Sequence, residues 1–140
     1  MKESGFIVLD HPADLGIEAY GKTLAEAFEQ AALGLVSIIA NTSKVDARNC
    51  RKVTLKGNDL EHLLVRWLEE VLYLYDGEHF LGGYFRITHL ESEQLQAVVY
   101  GEPFDPNRHQ PRMDVKAITY HQLQVRQGTE KSSVQVFLDI

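Results

Sequence analysis

The chain has 140 residues, 44% of them hydrophobic, which is the size of one domain able to bury a real core. Twenty acidic against fourteen basic side chains leave a formal charge of -6, so the surface repels phosphate backbones and tight direct nucleic-acid binding is not expected. No apolar run approaches the roughly 20 residues needed to cross a bilayer, and Met1-Lys2-Glu3-Ser4 lacks a signal-peptide layout, so a cytoplasmic protein without a membrane partner is expected.

Phe6-Ile7-Val8-Leu9 is a continuous apolar run and reads as a first strand, buried on both faces or nearly so. Asp10-His11-Pro12 ends it. Pro12 and Gly16 then fix Asp14 in a turn, and from Leu15 to Tyr20 apolar and polar residues alternate as in a strand with one face on a core. Thr23-Leu24-Ala25-Glu26 has the form of a capping box and opens a helix. Leu24, Ala27, Phe28, Ala31, Leu35 and Ile38 form its apolar stripe, with Glu26, Glu29 and Gln30 facing water.

Asn41-Thr42-Ser43 stops that helix. Cys50, the lone cysteine, has no partner for a disulfide and lies in a polar stretch that offers no base, so it reads as incidental. Residues 51–56 alternate basic with apolar, the pattern of a strand near a sheet edge. Asn58 or Asp59 can cap a second helix, whose stripe runs Leu60, Leu63, Leu64, Trp67, Leu68, Val71, Leu72 and Tyr75 until Asp76-Gly77 ends it. Trp67 at its centre reads as a packing anchor.

Residues 84–90 and 94–100 flank Glu91-Ser92-Glu93 as a hairpin. Residues 101–111, stiffened by three prolines, read as the one extended loop. Residues 115–125 then alternate as one long strand, and a turn about Gly128 and Thr129 sends the chain back through 134–138. That fold-back brings Lys116 and Ala117 opposite Asp139 and Ile140, within a residue or two. The whole reads as a single α+β domain over 1–140: a mixed, mainly antiparallel sheet with two amphipathic helices packed on it.

The usual catalytic constellations are missing. There is no Gly-rich phosphate loop, nucleophile elbow, cysteine pair at metal-ligand spacing or histidine pair at helical spacing. Hard cations such as calcium and magnesium take several oxygen ligands, and Asp14, Asp139 and the Ile140 terminal carboxylate meet that need if the first turn lies beside the last strand. Lys116 then organises the acids or holds an anionic group. The blander alternative has Asp14 capping a turn, Asp139 solvated and Lys116 in an ordinary surface ion pair.

The chain resembles the archease family. The resemblance rests on His11-Pro12-Ala13-Asp14-Leu15-Gly16, on Leu64-Val65-Arg66-Trp67-Leu68-Glu69-Glu70, on Gly101-Glu102-Pro103-Phe104-Asp105 with His109, on Val115-Lys116-Ala117-Ile118-Thr119-Tyr120-His121, and on Leu138-Asp139-Ile140. It implies a noncatalytic accessory protein that activates a GTP-dependent RNA ligase in tRNA splicing or RNA repair. Such a protein promotes guanylylation of the ligase histidine and repeated turnover through a bound divalent metal. Matched residue by residue, the family's metal site falls on Asp14, Asp139 and Ile140, and Lys116 matches a lysine implicated in activation. Pro12 stands where threonine is common. Two other readings stay open: a metal-dependent phosphoester hydrolase using the same acids with Lys116 and His11, and a general protein-binding or chaperone module.

Overall fold

The computed structural model describes residues 3–10 and 14–140. Strand β1 (Gly5–Asp10) pairs with β2 (Leu15–Gly21), and helix α1 (Leu24–Ile39) follows. A 3-10 turn (Thr42–Lys44), β3 (Asn49–Lys56), α2 (Leu60–Glu78), β4 (Phe80–Leu90) and β5 (Gln94–Pro103) come next. Then come a helical turn α3 (Pro106–His109), short strands β6 (Ala117–Ile118) and β7 (Gln124–Arg126), and β8 (Ser132–Asp139). The α+β class is as expected, and the strands divide between two antiparallel sheets. One runs β1-β2-β8-β6 with β7 also on β8, and the other runs β3-β5-β4.

Helix α1 lies between the sheets and touches β2 and β8 of the first, β4 of the second, and α2. This placement explains why its burial goes beyond one stripe to Ala32, Gly34, Val36 and Ile39. Gly34 allows the close approach: a Cβ there would meet Ile17 at 3.0 Å and Phe6 at 3.1 Å. The capping box forms, with the Glu26 amide donating to Thr23 Oγ1 at 3.2 Å, although the Glu26 carboxylate accepts from the amide of Lys22 instead of Thr23. Glu29 does not face water as expected. Its Oε2 accepts from the Ile87 amide at 2.8 Å, beside a register shift in β4 that frees this N–H from the ladder. Burial raises the Glu29 carboxyl above its ordinary range against the lowering effect of that amide, and Glu26 adds to the rise.

Helix α2 starts at Asp59, whose carboxylate accepts from the His62 amide at 2.8 Å. It runs through Gly77 and ends where His79 takes the left-handed conformation with φ 54°. Trp67 is fully buried and its Nε1 donates to the Phe28 carbonyl at 3.0 Å, so the anchor also joins the two helices. β3 is an edge strand, with Arg51, Lys52 and Lys56 along it, as the basic alternation implied. The hairpin turns at Glu91–Glu93, and both its strands extend beyond the expected limits.

Three expectations need correction. β1 is an edge strand with Ile7 and Val8 exposed, because a run of apolar side chains does not reveal whether a second neighbour is present. The alternating stretch 115–125 is two short strands separated by a turn at Tyr120–Leu123, where Gln122 has φ 50° and the Leu123 amide donates to the Tyr120 carbonyl. The expected loop at 101–111 begins as the end of β5 and continues as α3, whose Asp105 cap accepts from the Asn107 amide.

That last segment is held by a buried polar knot. Glu102 is 3% exposed and His109 is fully buried, with His109 Nε2 at 3.1 Å from Glu102 Oε2. The Asp105 amide donates to His109 Nδ1 at 2.9 Å, so Nδ1 carries no proton and Nε2 is the donor to Glu102. The same Glu102 oxygen accepts from the Asp46 amide at 2.7 Å, while Arg108 donates to Oε1 at 3.3 Å and to Asp46 Oδ2 at 2.7 Å. Burial opposes the charge on Glu102, but the Asp46 amide, His109 and Arg108 together hold its carboxyl below the usual range.

Candidate functional site

The site is set by sheet register. β2 and β8 pair antiparallel from Gly21↔Ser132 to Leu15↔Leu138, which makes Asp14 and Asp139 the next residues along the two neighbouring strands. On the other side of β8, Ala117 is the partner of Asp139, and the Lys116 amide donates to the Asp139 carbonyl at 2.8 Å. The fold-back geometry read from the sequence is therefore off by about one residue, within its stated range. β8 lies between β2 and β6, so the three site segments end side by side at one corner of the first sheet.

The exposures of these residues differ. Asp14 is half-buried and its Oδ1 is shut off from solvent, whereas the Asp139 side chain is exposed. Ile140 is half-buried with its side chain against the core, which fixes the position of its main-chain carboxyl group. The Lys116 side chain turns along a groove of about 270 Å³ between α2 and β6, lined also by Glu69, Leu72, Tyr73, Asp76 and Ile118. Burial raises the Asp76 carboxyl there, and the like charge of Asp114 raises it further. The groove was not foreseen, since nothing in the polar side of α2 marks which segment packs beside it.

Among the described residues, no three His, Cys, Asp or Glu side chains cluster as a metal-binding group. The two aspartates alone are short of a cation's needs, and the Ile140 carboxyl group and water would have to complete the set. Such an all-oxygen set, charged and partly shielded, suits a hard cation such as calcium or magnesium. His11, Pro12 and Ala13, which carry part of the first motif, lie outside the described residues.

Among the described residues, no helix is long and apolar enough to cross a membrane, which leaves β-barrel spanning unaddressed. The Archease protein family model matches residues 6–140. Protein archease of Sulfurisphaera tokodaii is 44% identical over 121 residues, covering 86% of this chain and 87% of that one. Protein archease of Aeropyrum pernix is 38% identical over 144 residues and covers all of both chains. The solution structure of Methanobacterium thermoautotrophicum protein 1598 superposes with a TM-score of 0.79 at 30% identity, covering 97% of this chain and 99% of that one. With its register-built corner, its fold and these matches in agreement, the chain belongs to the archease family.

Proposed function

We propose that this protein is a noncatalytic activator of a GTP-dependent RNA ligase, acting in tRNA splicing or RNA repair and promoting ligase guanylylation and repeated turnover. The observation that carries the reading is the juxtaposition of Asp14 with the Asp139–Ile140 end of β8, two strands that share an unbroken register. Asp14, Asp139 and the Ile140 carboxyl group would hold a divalent cation, calcium or magnesium, which when bound supplies a positive centre able to coordinate phosphate oxygens. Asp14 orients its carboxylate from a half-buried position, and the exposed Asp139 keeps the corner open to a partner. Lys116, one strand away, adds a mobile positive charge for an anionic group of the ligase or its nucleotide.

The test is multiple-turnover ligation by the cognate ligase, with and without this protein. Stimulation by the intact protein is expected, together with its loss in Asp14→Ala and Asp139→Ala at unchanged melting temperature. Absence of stimulation by the intact protein refutes the activator role. Full stimulation by both variants refutes the metal site.

A further inference from the structure

The two sheets have four edges among the described residues, and three of them carry devices that discourage pairing with another strand. β3 presents Arg51, Lys52 and Lys56. β4 contains two register shifts. The β6–β7 edge consists of pieces of two and three residues separated by a turn. β1 differs: its six residues pair with β2 without a shift, and Gly5–Asp10 contains no lysine, arginine or proline.

The exposure of β1 is unusual in kind. Ile7 is 53% and Val8 40% exposed, and among the described residues the other exposed large hydrophobics are tyrosines and a methionine. Neighbouring strand residues point to opposite faces. Phe6 faces α1, since a Cβ on Gly34 would touch its ring, so Val8 lies on that face as well. Ile7 lies on the outer face with Glu18 and Tyr20, bordering a hollow of about 480 Å³. Apolar surface uncovered on both faces at one point of a strand is what a missing neighbouring strand leaves behind.

We propose that β1 is the seam of a symmetric dimer, pairing antiparallel with β1 of a second copy about a two-fold axis through Ile7. The axis must be perpendicular to the sheet, which keeps inner face beside inner face and outer beside outer. In this register Ile7 meets the partner's Ile7 on the outer face, and Val8 is covered by the partner's Phe6 on the α1 face. The single charge of the strand, Asp10, falls opposite the partner's Ser4, so no like charges confront each other. This self-complementarity favours a second copy over an unrelated strand. The antiparallel arrangement leaves the two Asp14–Asp139 corners at opposite ends of the joined sheet, both accessible.

A seam of six residues per copy belongs with small, reversible interfaces, so its occupancy should depend on concentration. The test is sedimentation equilibrium from micromolar to millimolar protein. The mass should rise from 15.9 kDa toward twice that value. Ile7→Lys and Ile7→Glu should each remain monomeric with unchanged far-ultraviolet circular dichroism, and a one-to-one mixture of the two should recover the dimer. A constant 15.9 kDa for the intact protein overturns the proposal. So does a lysine variant that dimerises like the intact protein, or a mixture that stays monomeric.

Discussion

Truncating Glu102 should be among the most damaging single changes in this fold. Glu102→Ala removes the acceptor shared by the Asp46 amide and His109 Nε2, both tied to one carboxylate oxygen. Water cannot readily replace it, because Glu102 is 3% exposed and His109 is fully buried. His109 cannot escape by moving its proton, since Nδ1 already accepts from the Asp105 amide. Stranding a buried donor costs about 1–3 kcal/mol, and two are stranded here, so the expected loss is about 3–5 kcal/mol. Arg108 adds little, being partly exposed and still paired with Asp46. Glu102→Gln distinguishes this account from mere loss of volume. Its amide oxygen can occupy the position that serves Asp46 and His109, which turns the amide nitrogen toward the Arg108 guanidinium. Only the bond to that mobile, partly exposed group is lost, and the expected cost is about 1 kcal/mol. Urea unfolding monitored by tryptophan fluorescence at constant m-value would measure both. Equal losses in the two variants, or a loss below about 1 kcal/mol for Glu102→Ala, would refute the assignment of a buried polar latch.

Acid should act on the same knot. The folded-state carboxyls of Glu102 and Asp46 lie below their ordinary values of 4.5 and 3.8. Their contribution is thus fully present above those values and is lost as pH falls through the lower folded ones. A stability profile measured between pH 2 and pH 7 should flatten at its acid end in Glu102→Gln. Glu29 has the opposite sign: its raised carboxyl favours the fold in the protonated form, so its contribution declines as pH rises through the folded value. Glu29→Gln, which can still accept from the Ile87 amide, should leave stability at pH 7 unchanged or higher, and a fall of more than about 1 kcal/mol would contradict this. Trp67→Phe should cost about 2–3 kcal/mol in chemical unfolding, combining lost volume with a buried Phe28 carbonyl deprived of its donor. Gly101→Ala puts a Cβ onto the Leu81 carbonyl oxygen across the hairpin, and a melting-temperature drop equivalent to about 1–3 kcal/mol is expected as the strands are pushed apart. Adding one residue after Ile140 converts its carboxylate to a peptide carbonyl, and ligase stimulation should fall even with Asp139 intact.

The elements legible in the sequence were those specified by local patterns. Asp59 and Thr23 sit where their caps were expected, the spacing around Trp67 matched a buried face, and the Glu91–Glu93 turn fixed its hairpin. The site corner was also legible, because strand alternation and a turn position together determine register. The misses share a different cause, namely a partner supplied from far along the chain. Glu29 looks like a surface residue until a shift in β4 leaves an amide for it. His109 and Glu102 look like polar loop residues until Asn41–Asp46 closes over them, with the Asn41 amide donating to the His109 carbonyl at 2.8 Å. Alternation continued through Tyr120–Leu123 although the backbone turns there, so period alone could not locate the break.

The pairing of β2 with β8 also fixes when the corner can come into being during synthesis. Until the last strand leaves the ribosome, β2 has a vacant side next to Asp14, and most of the intervening chain must already be in place for β8 to reach it. A chain cut short anywhere before Ser132 would lack both the closing strand and half the acidic corner. Ligand-binding competence is thereby tied to translation having gone to the end of this domain.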